Sequence, residues 1–206
     1  MRFAILLLLS FCLCANAEAE YKFGKKLQVK NDAFEFDARE LFIDGKFVGF
    51  VYDKAPPTKF SKNYYVYAAC PVDKSTGKPN GYCIDWMIYD VNKKSGTALA
   101  LPGLTFFSTP SFHWPYIAYV KKPSEITQDD FKNGFLEVSC VVVKWPDKEL
   151  VAQNKTKVSV GNFESDTPGS FNPPKFTHSK DTWNVSCSEF SEQGEGNIIS
   201  IVTFPK

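Results

Sequence analysis

Apolar and polar residues alternate along most of this chain in short runs, a pattern typical of β-strands with one buried face. In the clearest run, alternate positions carry Leu136, Val138, Cys140 and Val142. Glycine, proline and asparagine separate such runs at short intervals. About ten short strands with turns of this kind predict an all-β fold, specifically an antiparallel β-sandwich. The alternatives are a closed β-barrel and two small sandwiches.

The strands predicted along the chain belong either to one domain or to two. We expect one β-sandwich domain over residues 18–206, because the one plausible seam between two domains, 121–134, is neither long nor flexible in composition. The alternative is two small β domains, 18–122 and 123–206. Near that boundary lies the one helical candidate, Ser124–Lys132, in which Thr127 is placed to cap the first turn. Residues 164–181 are expected to form one long loop.

One β-hairpin is expected around the Asp-Gly pair at 44–45, because that pair suits a two-residue turn between strands. Pairing across the turn places Phe42 opposite Phe47 on one face. It places Leu41 opposite Val48 on the other. Both faces near the tip are therefore apolar, which favours a hairpin covered on both sides.

The beginning of the chain resembles a secretory signal peptide. Arg2 supplies a positive charge, an apolar run follows over 3–14, and Ala15 and Ala17 are the small residues a cleavage site needs. We therefore expect residues 1–17 to be removed and the mature protein to be secreted into the extracellular space. The apolar run is about a dozen residues, and a membrane helix needs roughly 20, so no membrane span is expected.

The balance of basic and acidic side chains argues against some classes of partner. Arg2 is the only charged residue in the expected signal peptide, so the rest of the chain carries 23 basic and 23 acidic side chains. Binding to phosphate backbones needs a basic surplus, so nucleic acid is not an expected partner. Aromatic residues make up 16% of the chain, and 19 residues are Phe, so much of the core must be aromatic.

The cysteines predict two disulfides. Two of the six lie in the expected signal peptide, which leaves Cys70, Cys83, Cys140 and Cys187. An even number in an exported chain indicates disulfide bonds. Strand alternation places Cys140 and Cys187 on apolar faces, as a buried bridge between strands requires, while Cys70 and Cys83 flank a turn-rich loop. Of the three possible pairings, 70–83 and 140–187 are favoured.

Two N-x-S/T sequons predict N-glycosylation at Asn154 and Asn184. The second sequon is informative, because the alternation that buries Cys187 turns Asn184 outward. A glycan there would lie on a solvated face of the sheet.

Recognisable catalytic patterns are missing from the sequence. It contains no G-x-S-x-G, no H-E-x-x-H, no EF-hand loop and no phosphate-binding glycine loop. The cysteines lack zinc-ligand spacing, and the chain has only two histidines. We therefore expect no catalytic residues, no metal site and no cofactor, and a protein that is not an enzyme.

The most distinctive segment is aromatic and runs from Phe106 to Tyr116. Its prolines keep part of it out of a central strand. Rings in such a segment either plug one end of the sandwich or contact a ligand or partner. The candidate ligand-binding residues are Phe112, His113, Trp114 and Tyr116.

Together these features favour a secreted, non-enzymatic protein that recognises an extracellular carbohydrate, lipid or protein. The first alternative is a secreted barrel-type carrier of a small hydrophobic molecule. The second is a secreted hydrolase that uses carboxylates or His113.

Overall fold

The computed structural model describes residues 20–30, 34–104, 108–123, 128–159, 171–190 and 196–206. These residues form fourteen β-strands in four sheets and one short helix. Every pair of neighbouring strands is antiparallel, so the predicted all-β antiparallel class is confirmed. The expected signal peptide, 1–17, lies outside the described residues.

The N-terminal half forms two sheets by successive antiparallel hairpins. Sheet 1 contains β1 (Tyr21–Lys30), β2 (Glu35–Ile43) and β3 (Lys46–Tyr52). Sheet 2 contains β4 (Thr58–Ser61), β5 (Tyr64–Ala69), β6 (Asp85–Asp90) and β7 (Ser95–Ala98). In both sheets the strands follow one another in chain order. We call this pair of sheets the N-terminal sandwich.

The C-terminal half repeats this arrangement in the reverse order of sheet size. Sheet 3 contains β8 (Ser111–His113), β9 (Tyr116–Lys121), β10 (Phe135–Lys144) and β11 (Glu149–Ser159). Sheet 4 contains β12 (Lys175–His178), β13 (Thr182–Ser188) and β14 (Ile198–Pro205). The helix α1 (Gln128–Asn133) connects β9 to β10. We call sheets 3 and 4 the C-terminal sandwich.

Sheet 2 is buried on both faces, and strand alternation explains how. On β5, Tyr65 and Tyr67 pack with Leu41 of sheet 1. Val66, between them in sequence, packs on the opposite side with Ile117 of sheet 3. A central strand can be apolar at successive positions because each face has its own partner sheet.

Sheet 3 is covered in the same way. Val141 on β10 packs towards sheet 2, whereas Cys140 and Val142 pack towards sheet 4 with Val185 of β13. The four sheets therefore stack in the order 1, 2, 3, 4, with three apolar cores between them. The two inner sheets are buried on both sides, and sheet 4 on one. Sheet 1 is covered on its other face as well, where Val29, Ala38 and Phe50 pack with Cys70 and Cys83 in a fourth core.

Both predicted disulfides are confirmed. Cys70 and Cys83 join the two ends of the loop between β5 and β6, with 13 residues of separation. Cys140 on β10 and Cys187 on β13 join sheet 3 to sheet 4, with a Cα–Cα distance of 5.9 Å. The second bridge is fully buried in the core of the C-terminal sandwich.

The predicted Asp-Gly hairpin forms, with one change of register. The turn residues at 44–45 have φ values of 51° and 72°, which is the left-handed conformation that such turns require. Phe42 lies opposite Phe47 as predicted, but Leu41 lies opposite Gly49 and not opposite Val48. A bulge between positions 41 and 42 causes the shift, and the positive φ of Gly49, 144°, accommodates it.

Other expectations fall partly outside the described residues. Of the predicted helix 124–132, the described part begins at Gln128, and the helix ends before Gly134, whose φ of 70° suits a helix terminus.

Each described sheet is open, with an edge strand on both sides, so the closed-barrel alternative is wrong. The strands number fourteen and not about ten, because short strands such as β4 and β8 gave little alternation.

The number of domains stays a prediction. The alternative boundary at 122/123 lies between β9 and β10, which are paired neighbours in sheet 3.

In the part of the chain that the structure describes, no helix is long and apolar enough to cross a membrane.

Candidate functional site

The hairpin of β8 and β9 carries all four residues that the sequence singled out as ligand contacts. Residues 114–115 form its turn, and His113 pairs with Tyr116 across it. Paired residues share a face of the sheet, so these two point the same way. Phe112 points to the opposite face. The hairpin therefore divides the four residues between two aromatic groups.

The first group, the Trp114 cluster, lies where sheet 2 meets sheet 3. Its members are Phe60, Tyr64, Trp86, Phe112, Trp114 and Trp145. The Trp114 ring lies nearly parallel to Tyr64, with ring centroids 5.6 Å apart and an angle of 21° between planes. Phe60 meets the Trp114 ring edge-on at 5.2 Å. Trp114 is 45% exposed, so one surface of this packed group is open to solvent.

The second group, the Trp183 cluster, lies between the β8–β9 hairpin and sheet 4. It contains both histidines of the chain: the ring centroids of His113 and His178 lie 4.3 Å and 5.2 Å from that of Trp183. The Nζ of Lys206 lies 5.5 Å from the same centroid and donates a hydrogen bond of 3.2 Å to Nδ1 of His178. Phe176 completes the group.

The two clusters differ in what they offer a ligand. The Trp114 cluster is mainly aromatic, with one lysine, Lys148, 6.0 Å from the centroid of Trp145, whereas the Trp183 indole is surrounded by three basic groups. Tyr116 belongs to neither exposed surface, since its ring packs against Phe204 at 4.9 Å at the edge of the core.

A cavity of about 320 Å³ opens beside the Trp114 cluster at the edge of sheet 2. Trp86 belongs to both features, and the apolar lining includes Ile84, Leu99 and Leu101. Asp85 adds one carboxylate to the lining. The cavity is of a size that suits a small ligand with a mainly apolar surface.

Groups that could perform metal chemistry are not assembled in the described part of the chain. No three or more His, Cys, Asp or Glu side chains converge there in a way that could hold a metal ion. His113, the histidine named above for the hydrolase alternative, lies against the Trp183 indole.

A network of ion pairs lies on sheet 1 beside the core that this sheet shares with sheet 2, since Arg39 pairs with the buried Val51. The Nζ of Lys26 lies 2.7 Å from Asp37 and 3.2 Å from Asp53, and Arg39 pairs with Asp53 as well. The hydrogen bond from Lys26, together with that from Arg39, lowers the pKa of Asp53. Hydrogen bonds to Asp37 and Asp53 raise the pKa of Lys26.

One lysine is buried in the C-terminal sandwich. Lys122 follows β9 and is 5% exposed, and its Nζ lies 5.3 Å from the centroid of the Phe171 ring. Burial lowers the pKa of Lys122 to about 8 because the charged form is poorly solvated there.

Both predicted glycosylation sites lie in the C-terminal sandwich. Asn154 is exposed on β11, and its Nδ2 lies 3.5 Å from the carbonyl oxygen of Ile201. Asn184 lies on β13 between the partly buried Trp183 and the buried Val185, and its Oδ1 accepts a 2.7 Å hydrogen bond from Thr203. The two asparagines therefore approach the same strand, β14.

The sequence did not predict several of the residues that form these two clusters. Phe60 on β4 and Tyr64 on β5 come about 50 positions before Trp114 in the chain. Strand alternation puts Trp183 on the same face as Cys187, but its contact with His113 depends on how two sheets pack. Residues 164–181, expected to be a loop, contain β12, which carries His178.

No protein-family model matches this chain, and no curated protein or solved structure shows a significant similarity to it.

Proposed function

We propose that the mature protein is a secreted, non-enzymatic glycoprotein that recognises an extracellular carbohydrate through the Trp114 cluster. The observation that carries this proposal is the half-exposed Trp114 ring, which is backed by Tyr64 in a nearly parallel arrangement. A large aromatic ring that is held rigidly and remains open to solvent suits ligand recognition.

The chemistry of the ring favours a sugar among the possible ligands. The face of an indole ring carries negative partial charge, which attracts the slightly positive C–H bonds on the flat side of a pyranose. Because Phe60 and Tyr64 already fix the Trp114 ring, binding costs little side-chain entropy. Next to Tyr64, the β4–β5 turn contributes Lys62 and Asn63, whose polar groups suit sugar hydroxyls.

Export and glycosylation are parts of the same proposal. The signal peptide expected at 1–17 supports export, and so do the two buried disulfides, since such bonds persist in oxidising compartments. The sequon residues Asn154 and Asn184 both lie on strands at the surface of the C-terminal sandwich.

The proposal is tested by probing a glycan array with the mature protein and measuring the best ligand by calorimetry. We expect binding to one class of carbohydrate and a loss of tenfold or more in affinity for Trp114→Ala, which is about 1.4 kcal/mol. Tyr82→Ala is the matched control, because Tyr82 is 47% exposed in the N-terminal sandwich, away from the Trp114 cluster.

Three results would contradict the proposal. One is an array without any bound glycan. Another is a Trp114→Ala variant that binds as tightly as the unchanged protein. The third is a Tyr82→Ala variant that loses as much affinity as Trp114→Ala.

The cavity beside Trp86 supports a second candidate function, the binding of a small apolar molecule. Native mass spectrometry of the purified protein tests it directly. A bound small molecule that is lost on Leu99→Trp, which fills the cavity, supports this function. Ligand-free spectra after incubation with a panel of lipids count against it.

A further inference from the structure

The two aromatic clusters open at the same end of the four-sheet stack, on either side of the β8–β9 turn. On one side, Trp114 packs on Tyr64, next to the β4–β5 turn. On the other side, His113 packs on Trp183, next to the β12–β13 turn. His113 and Trp114 are consecutive and both exposed, with Cα atoms about 3.8 Å apart. A ligand larger than one sugar ring that stacks on Trp114 can therefore also contact the Trp183 cluster.

Three basic side chains converge on the Trp183 indole. The ring centroids of His113 and His178 lie 4.3 Å and 5.2 Å from that of Trp183, and the Nζ of Lys206 lies 5.5 Å from it. All three basic side chains are exposed. Among the described residues, no ion pair ties any of them to a carboxylate. Basic groups gathered in this way attract an anion.

The contact between Lys206 and His178 determines which hydrogens this cluster offers to a ligand. An ammonium cannot accept a hydrogen bond, so Nζ donates and Nδ1 of His178 accepts over 3.2 Å. The ring hydrogen of His178 is then on Nε2, from which it can be donated to a ligand. A second hydrogen of Nζ is directed at the carbonyl oxygen of Lys180, 3.4 Å away, which leaves a third. Both donors suit an oxygen of a sulfate or carboxylate group.

The turns beside the two clusters carry more basic than acidic side chains. Their basic residues are Lys62, Lys148 and Lys180, and their acidic residues are Asp147 and Asp181. Lys206 adds a further positive charge at this end, since its backbone N–H donates to the carbonyl oxygen of Asp181. The formal net charge of the whole chain is only +1, so the excess at this end is a local property of the fold. Such an excess favours an anionic ligand.

We propose that the carbohydrate recognised through the Trp114 cluster is anionic, a glycan with sulfate or carboxylate groups, and that the Trp183 cluster binds one of these groups. One sugar ring stacks on Trp114, and a charged group on the same or the next ring accepts hydrogen bonds from His178 and Lys206. This inference rests on the proposed function and makes its ligand class more specific.

The test compares anionic glycans with their neutral counterparts. The mature protein is applied to an array of sulfated glycans, glycans with uronic acids, and the neutral forms of both. Calorimetry then measures the best anionic glycan and its neutral form. We expect the anionic form to bind at least tenfold more tightly, and the difference to shrink as salt is added. The array also shows whether sulfate or carboxylate is preferred.

Variants assign the preference to the Trp183 cluster. His178→Gln combined with Lys206→Gln should lower the affinity for the anionic glycan to that for its neutral form, whereas Trp114→Ala should lower both affinities. Lys74→Gln is the matched control, because Lys74 is an exposed lysine in the β5–β6 loop at the opposite end of sheet 2, and it should keep the preference. Polyglutamate, an anionic polymer without sugar rings, should bind at least tenfold more weakly than the anionic glycan.

The possible failures separate this inference from the proposed function. Equal affinity for a glycan and its neutral form, with both lost in Trp114→Ala, refutes the inference and leaves the proposed function standing. An array without any bound glycan contradicts both. The inference is also overturned if the double variant keeps the preference, or if polyglutamate binds as tightly as the glycan. Circular dichroism of each variant checks that the strands remain folded.

Discussion

The N-terminal and C-terminal sandwiches use their disulfides in different ways. In the N-terminal sandwich, the chain passes from sheet 1 to sheet 2 over the short stretch between Tyr52 and Thr58. Its bridge, Cys70–Cys83, closes a loop and packs with Val29, Ala38 and Phe50 of sheet 1, but it does not link one sheet to the other. In the C-terminal sandwich, the chain passes from sheet 3 to sheet 4 over the much longer stretch 160–174, and there the bridge Cys140–Cys187 joins the sheets directly. A covalent link between sheets is most useful where the chain itself holds them together least.

The two sandwiches also treat charge differently. The N-terminal sandwich keeps a cluster of paired charges at the margin of the core between sheets 1 and 2, around Asp53. The C-terminal sandwich buries Lys122 beside Phe171, where desolvation opposes its charged form. Paired surface charges contribute stability that is small and sensitive to salt, whereas the desolvation of a buried ammonium disfavours its charged form.

The largest effect is expected from removing the bridge between sheets. Cys140→Ala with Cys187→Ala should lower the free energy of unfolding by about 4 kcal/mol, because it frees a loop of 47 residues in the unfolded chain. Cys70→Ala with Cys83→Ala should cost about 3 kcal/mol, because its loop has 13 residues. Urea unfolding followed by tryptophan fluorescence measures both.

The two bridges should also differ in which backbone amides lose protection from hydrogen exchange when each bridge is removed. Hydrogen exchange should speed up across sheet 4 in the first double variant, and around residues 71–82 and the part of sheet 1 that packs on the bridge in the second. A second variant that destabilises the protein as much as the first would contradict this comparison.

A smaller effect is expected from raising the pH through the range in which Lys122 loses its proton, and this change should stabilise the protein. Its pKa is about 8 in the folded state against an ordinary value of 10.5, so between these values the unfolded state holds more protons. The free energy of unfolding should therefore rise with pH, by roughly 2 kcal/mol between pH 8 and pH 10.

Variants separate Lys122 from other groups that titrate in the same range. Lys122→Met should remove the rise, while Lys121→Met, at the exposed neighbouring position, should retain it. Urea unfolding at a series of pH values gives the two slopes. Identical slopes in the two variants would show that Lys122 is not the group responsible.

The smallest effect is expected from Asp53. Because its pKa is lowered in the folded state, its ion pairs stabilise the protein above the ordinary value of 3.8, and this contribution is lost as the pH falls through the lowered pKa. Asp53→Asn should be slightly less stable than the unchanged protein at neutral pH and equally stable in strong acid. Unfolding curves between neutral and acid pH test this.

Glu137 provides the comparison from the other sandwich. Its pKa is lowered chiefly by a hydrogen bond from Lys155, a single and well-exposed partner. Glu137→Gln should therefore change the acid dependence less than Asp53→Asn, which loses two partners. Added salt should reduce both effects. A larger effect for Glu137→Gln would contradict the contrast.

Strand alternation was sufficient to predict the pairing of the cysteines. It placed Cys140 with Val142 and Cys187 with Val185, and all four side chains do meet in one core. Because a face is a local property of a strand, no knowledge of distant contacts was needed.

The four-layer stack could not be predicted by the same means. Alternation shows that both faces of β5 and β10 are apolar, but it does not say which sheet covers each face. The register of the first hairpin was missed because a bulge beside Leu41 leaves no mark in the pattern of apolar residues. The Trp183 cluster was missed because His113 and Trp183 meet only through the packing of sheets 3 and 4.

The bridge between sheets 3 and 4 also turns part of the backbone into a closed covalent ring, made of residues 140–187. A protease that cuts this ring once releases no fragment, because the disulfide still joins the two pieces. The same applies to a cut between Cys70 and Cys83. A molecule nicked in either ring keeps its full mass, apart from one added water, and runs as two pieces only after reduction.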